Sequence, residues 1–398
     1  MSRSIIIKRR LRKLSPNNLF KNLPEGDAKS GLILILCVMG SLALANSAWS
    51  SVYVNFWNKT VTGEFTVLHL VNDGLMTIFF AVVGLEIKKE MVVGELSNFR
   101  KALLPFLCAI GGIIAPALIY AALNYQTENI TGWAIPTATD IAFSIGILAL
   151  LGSSIPRSLK VFLTALAIID DLGAVVVIAL FYSQSIDFYY VMGAILLPLG
   201  LWLLERYTKF YHISLWAVVG AVVWYLLHYS GIHATIAGVL IAAVTPIRNK
   251  NSEPLEELAH LLHQPVNKFI VPLFAIANTA IVLNAGVMGE LLSGISLGIM
   301  AGLIVGKPLG IMLIAFISTK IKLTELPNQV SWKLLFGTAI LAGIGFTMSL
   351  FVSFLAFSDA HRQDISKIAI LIGSVMSGVL GLIYLSQTLK QNASKTPH

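Results

Sequence analysis

Two adjacent carboxylates stand inside an apolar stretch: Asp170 and Asp171, in "LTALAIIDDLGAVVVIALFY" (163–182). Each flank supplies about 15 Å of helix, too little to cross a hydrocarbon core of about 30 Å alone. Joined, the flanks make one span with the aspartates near its middle. A central aspartate costs about 2.5–3.5 kcal/mol on insertion scales, so such a residue is kept for a reason. Neighbouring helix positions point about 100° apart. One carboxylate can therefore face a water-filled cavity while the other faces a partner helix. Buried carboxylates hold protons to higher pH than exposed ones, more so in pairs. Deprotonated, they offer hard oxygens to a small hard cation. Proton and cation then compete for the same oxygens, and a site open to one side at a time turns that competition into exchange.

Other polar residues share the apolar runs. Asp140 lies in "GWAIPTATDIAFSIG". Pro136 disfavours helix at Ile135, and Thr137, Thr139 and Asp140 have the chemistry of a helix start. This predicts a broken span whose second half begins near Asp140. Lys307, in "AGLIVGKPLGIM", is deep in a span and precedes Pro308; a buried cation needs an anion, and Asp170 or Asp171 is the candidate. In "LAGIGFTMS", Gly343 and Gly345 weaken a helix halfway, and "GIGFT" faintly echoes "DIAFS". The remaining candidates have blander readings. Glu86 reads as a snorkelling charge at a helix end, Asp73 as a cap, His233 as a core histidine, and His260 and His263 as interfacial.

The elements that must position these residues emerge from composition. Of 398 residues, 56% are hydrophobic and 12% charged, against about 25% charged in soluble domains. Mean hydropathy is +0.80. The chain reads as an all-α polytopic membrane protein. Twelve runs suit spans: 30–48, 67–87, 102–123, 133–152, 158–182, 189–205, 212–228, 232–246, 266–284, 295–318, 333–357 and 366–387. The ninth has an amphipathic extension back to Pro254. Connections on one side carry 23 Lys and Arg, those on the other only Lys59, Arg362 and Lys367. That alternation places both termini in the cytoplasm. It also turns the net charge of +8 into a topology signal and excludes nucleic acid as a partner. The expected organisation is a basic cytoplasmic segment 1–29, one transmembrane domain 30–390 and a tail 391–398. The start resembles a signal peptide ending at Ala43-Leu44-Ala45, but its basic leader is long for that role. Cys37 and Cys108 read as packing residues. Val52, Val54 and Phe56 alternate before Asn58-Lys59, with Val61, Phe65 and Val67 after it, which predicts an external β-hairpin at about 50–67 or else an ordered loop.

The stretches "NDGLMTIFFAVVGLEIKKE", "GWAIPTATDIAFSIGILALLG", "LTALAIIDDLGAVVVIALFY", "SGIHATIAGV", "PLFAIANTAI", "GLIVGKPLGI" and "GIGFTMSLF" together resemble the NhaA-type sodium/proton antiporters of bacterial inner membranes. The resemblance runs in family order from about residue 28. It implies inverted repeats with two discontinuous helices crossing at the midplane. It ranks Asp171 ahead of Asp170 as direct cation ligand, puts Asp140 and Thr139 at the interrupted helix, and pairs Lys307 with Asp170. It makes Glu86, His260 and His263 part of a pH-responsive cytoplasmic surface and the hairpin a homodimer contact. The implied activity is electrogenic export of Na⁺ or Li⁺ against protons, with no cofactor. Three features depart from the family: Ala259 where an acidic residue is usual, Gln264 where proline is usual, and a longer leader before Pro24, suited to anionic lipid.

Three rival readings compete with exchange. An intramembrane aspartyl protease could use Asp140 and Asp171, but its "PAL" (116–118) precedes both aspartates and its other sequence contexts are missing. A retinal protein anchored at Lys307 would have fewer spans. A channel needs no paired titratable carboxylates.

Overall fold

Within hydrocarbon every backbone polar group must be satisfied inside the protein, which a helix does by itself. The computed structural model describes residues 27–63, 65–183, 185–249 and 253–393. Most of the expected basic segment 1–29, and the expected tail from 394 on, lie outside the described residues.

The helices are α1 (Asp27–Ala45), α2 (Ser50–Asn58), α3 (Val67–Val92), α4 (Phe99–Leu123), α5 (Ile141–Leu150), α6 (Arg157–Phe181), α7 (Phe188–Thr208), α8 (Ile213–Tyr229), α9 (Ile236–Val244), α10 (Pro254–Pro265), α11 (Gly294–Lys320), α12 (Trp332–Ala342), α13 (Phe346–Ala356) and α14 (Ala360–Ala393). By length and composition α3, α4, α6, α7, α11 and α14 are each able to cross a membrane. Three bent pairs qualify jointly: α1 with α2 at 113°, the 3₁₀ segment Glu128–Thr137 with α5 at 42°, and α12 with α13 at 44°. The chain is thus a polytopic membrane protein. Helix α8 is apolar but shorter, and α9 has nine residues. Helix α10 starts at Pro254, where the amphipathic extension was expected, and continues through a π-turn, Val266–Ile270, into Val271–Asn278.

The hairpin is present but smaller and later than its alternating pattern predicted. Residues 52–56 belong to helix α2, and the strands are β1 (Thr60–Thr62) and β2 (Phe65–Thr66). Spacing explains the difference. Tyr53 and Trp57 lie one helical turn apart and make an edge-on ring contact at 6.0 Å. Trp57 is buried, and the Tyr53 hydroxyl meets Ser41 Oγ at 2.9 Å. A helix places both on the packed face; a strand would put them on the same face but about twice as far apart.

Two close approaches bring the central helices together. Helix α11 packs along α4, where a Cβ on Gly310 would strike the Gly111 carbonyl and come 2.8 Å from the Ala115 Cβ. Helix α9 packs on α3, where a Cβ on Gly238 would strike the Thr77 carbonyl and lie 2.6 Å from the Ala81 amide. Small residues at such crossings let backbones touch, which is how helices associate where lipid is as apolar as leucine. Helix α14 covers α12 and the first half of α11.

Gly310→Val should overpack the α4–α11 crossing at a cost of about 1–3 kcal/mol, seen as a lowered thermal midpoint of the detergent-solubilised protein. Gly200→Ala, where a Cβ meets nothing within 4 Å, should leave the midpoint unchanged or higher.

Candidate ion-binding site

Two of the bent pairs, the 3₁₀ segment with α5 and α12 with α13, cross at their breaks. The amide of Asp140 donates to the Ile344 carbonyl at 2.7 Å, and Ser144 Oγ donates to the Leu341 carbonyl at 3.1 Å. Ser349 Oγ donates to the Ile135 carbonyl at 2.7 Å. The breaks have local causes. The 3₁₀ segment ends at Thr137, just after Pro136, and α5 begins at Ile141 with Asp140 as its N-cap. Helix α12 ends before Gly343, and α13 starts after Gly345. A Cβ at Gly343 would strike the Leu303 carbonyl of α11, so this break is also where a third helix presses in.

A broken helix exposes amide groups at one end and carbonyls at the other, each with a partial charge. The site answers both. Asp140 accepts at Oδ1 from the Phe143 amide of α5, at 2.9 Å. At Oδ2 it accepts from the Thr347 amide of α13, at 3.1 Å, and from Thr347 Oγ1, at 2.5 Å. One carboxylate thus closes the positive ends of two half-helices. Lys307 does the opposite. Its ammonium, with none of the side chain exposed, donates to the Thr137 carbonyl and to Asp170 Oδ2, the latter at 2.7 Å. It therefore covers a carbonyl end and pairs a carboxylate at once. Gly112 of α4 lies against its stem, and a π-turn, Gly302–Gly306, immediately precedes it in α11. Such a turn absorbs the backbone disturbance of Pro308.

Thr139 Oγ1 stands 2.7 Å from Asp170 Oδ2 and 2.8 Å from the Ala342 carbonyl. Both are acceptors, so its single proton serves one at a time. Asp170 and Asp171 are each 2% exposed, on α6. Asp170 Oδ1 and Asp171 Oδ1 are buried with no hydrogen-bond partner among the described residues. Asp171 lies within electrostatic reach of Asp170, Asp140, Glu86 and Lys307. Hence three of the four central charges are compensated by partners or helix ends, and that of Asp171 is not.

The structure therefore brings together Asp140, Thr139, Asp170, Asp171 and Lys307, with the breaks at Pro136, Gly343 and Gly345 beside them. Lys307 chooses Asp170, a choice that residue types alone left open. Glu86 is half-buried on α3. His260 and His263 are exposed on α10, away from the carboxylates, and His263 meets Asn267 Nδ2 at 3.1 Å. Glu256 on the same helix pairs with Lys89 at 2.8 Å, which holds its carboxyl below the usual glutamate range. With its pKa lowered, the bridge is intact above the usual glutamate range and is lost only as pH falls through that lowered value, so it does not titrate near neutrality. Asp73 is no cap. It is buried in a π-turn, Leu70–Leu75, against His69. Sequence reasoning missed Thr347 and the carbonyls of Thr137, Ala342 and Ile344. The "GIGFT" echo of "DIAFS" was the signal for Thr347; carbonyls leave none.

The profile of the family described as Na⁺/H⁺ antiporter 1 matches residues 21–385. The chain belongs to this family. A relative from Cytophaga hutchinsonii, named Na⁺/H⁺ antiporter NhaA, is 47% identical over 380 residues, covering 94% of this chain and 97% of its own length. A relative of the same name from Dechloromonas aromatica is 48% identical over 371 residues, covering 92% and 95%. One from Flavobacterium johnsoniae, named Na⁺/H⁺ antiporter NhaA 1, is 46% identical over 374 residues, covering 94% and 98%. Membership of this NhaA-type family makes the chain a transporter and not an enzyme, and leaves the aspartyl protease reading unsupported.

Removing one partner of the buried pair strands a charge, at a cost of about 3–5 kcal/mol. Lys307→Met should therefore lower thermal stability sharply, and adding Asp170→Asn should recover most of the loss. Equal destabilisation in the single and double variants would contradict this account.

Proposed function

We propose that the protein exchanges cytoplasmic Na⁺ or Li⁺ for external protons at Asp171. The observation that carries this is the charge balance: Asp171 is buried, and among the described residues it has no hydrogen bond or salt bridge that neutralises it. A carboxylate so placed needs either a proton or a cation. Facing the cytoplasm, Asp171 loses its proton and takes Na⁺, with Asp170 Oδ1, the second unpartnered oxygen, as the neighbouring ligand. Thr139 or Asp140 and water complete the shell. The loaded site turns outward, and external protons displace Na⁺ and return.

Lys307 sets the proton count. As Na⁺ draws Asp170 from it, the ammonium is left in an apolar site and gives up its proton; on return it recovers one. Together with Asp171 this carries more than one proton per cation, so the cycle is electrogenic. A Lys307 that stays charged throughout would leave one proton per Na⁺ and an electroneutral cycle.

In this reading twelve spans cross a bacterial inner membrane with both termini in the cytoplasm, as the distribution of Lys and Arg requires. The two crossed breaks are the centres of inverted repeats. Glu86, half-buried on the same helix as Lys89 and within reach of Asp171, links the site to the α10 surface bearing His260 and His263, where pH regulation acts. No cofactor takes part. Two copies pair through the hairpin, whose β1 residues are all exposed and offer an unpaired edge. Lipid covers the remaining apolar surface.

The test uses everted membrane vesicles with a fluorescent ΔpH probe. Addition of Na⁺ or Li⁺ to energised vesicles should collapse ΔpH, and Asp171→Asn should abolish the collapse. Collapse that persists in the variant would move the cation site elsewhere.

A further inference from the structure

Helix α2 takes no part in the ion site, yet its surface divides three ways. Successive helix positions turn by about 100°. Ser50, Tyr53, Val54 and Trp57 therefore share one side, and these are the buried and half-buried residues of the helix. This side packs on α1, where the Tyr53 hydroxyl meets Ser41 Oγ at 2.9 Å. Ser51, Asn55 and Asn58 share a second side, polar and exposed. Trp49, whose carbonyl accepts the Tyr53 amide, shares the third with Val52 and Phe56. These three are apolar, yet they are 69%, 65% and 52% exposed. The three sides are centred about 120° apart. An exposed half that is polar on one side and apolar on the other is built to meet two different media.

The setting identifies the second medium. Helix α1 ends at Ala45 with Leu36, Met39 and Leu44 exposed along it, the surface that a spanning helix gives to lipid. Helix α2 follows at Ser50, turned by 113°, a little past a right angle. A helix so turned runs along the membrane surface and does not prolong the span. Its contact on α1, Ser41, lies one turn before Ala45, about 6 Å along the axis. Helix α2 therefore sits about one turn inside the end of α1. An amphipathic helix at a membrane surface sinks its apolar side by about 5–10 Å, to the boundary of headgroups and acyl chains. Tryptophan is favoured at that level. Depth and composition agree.

We propose that α2 is a membrane-surface anchor, seated in the lipid leaflet at which α1 ends. Trp49, Val52 and Phe56 lie among the acyl chains, and Ser51, Asn55 and Asn58 face water. That this leaflet is the outer one rests on the orientation proposed above; the lipid contact itself does not. The sharp change from apolar to polar around the exposed half favours a bilayer surface, which is layered in the same way, over a second copy of the chain. Two neighbours take their position from the anchor. Strand β1 begins directly after it, at Thr60, so the hairpin is tied to the membrane surface. Helix α1 packs along α5, the half-helix capped by Asp140. Lipid thus steadies, through α2 and α1, one wall of the crossing.

The test places a polarity-sensitive nitrobenzoxadiazole label on the full chain carrying Cys37→Ala and Cys108→Ala. Val52→Cys labels the apolar side and Asn55→Cys the polar side. Each protein is reconstituted in vesicles of phosphatidylethanolamine and phosphatidylglycerol. Both labels share the protein's orientation, so their comparison is internal. The label at position 52 should emit further to the blue. Lipids bearing a nitroxide near the headgroup should quench it about threefold more than the label at position 55. Aqueous iodide should show the reverse order. Dilution of the protein into excess lipid should change neither result. Equal quenching of the two positions by both agents overturns the anchor. Blue emission at position 52 that lipid nitroxide does not quench, and that shifts to the red on dilution, puts a second copy on this face and overturns it as well.

Discussion

Charge placed in hydrocarbon must be compensated, and that constraint organises the whole centre of this protein. Two helices are broken there, which exposes two sets of amides and two sets of carbonyls where water is scarce. Asp140 closes the amide ends, and Lys307 closes a carbonyl end while holding Asp170. Remove either and a half-helix end or a carboxylate is stranded. The crossing is therefore held by electrostatics as well as by packing.

The rest of the fold serves this crossing. Helix α4 lies against α11 closely enough that glycine is required at 111 and 310, which brings the Lys307 stem against Gly112. Leu303 of α11 presses on Gly343, so the helix that supplies the lysine also shapes the break it neutralises. The π-turns recur where polar residues need a particular direction: Leu70–Leu75 holds Asp73, and Gly302–Gly306 leads into Lys307. An extra residue in a turn re-aims the side chains beyond it, and such turns gather at working sites.

Much of this was legible in the sequence because a charge in an apolar run is costly and is seldom kept without a role. Asp170, Asp171, Asp140 and Lys307 stood out by context alone, and Pro136 with Gly343 and Gly345 announced weak helices. What was not legible were the acceptors and the partners across the crossing. The carbonyls of Thr137, Ala342 and Ile344 carry no residue signature. Thr347 meets Asp140 across 207 positions of chain, a pairing that only the folded crossing creates. The hairpin was misplaced because three alternating residues fit a short helix as readily as a strand.

The adjacency of the two aspartates then acquires a physical meaning. On a helix, neighbours diverge by about 100°, so Asp170 and Asp171 inhabit different surroundings despite sharing a backbone. Asp170 is turned to Lys307 and Thr139, a matched environment that fixes its charge. Asp171 has no such partner. A buried ion pair adds little to stability beside a well-packed apolar alternative, yet is costly to break. In the proposed cycle its retention beside Asp171 makes sense as a coupling: a cation settling on Asp171 competes with Lys307 for Asp170. One backbone step in that cycle separates the carboxylate that takes the cation from the carboxylate held by Lys307.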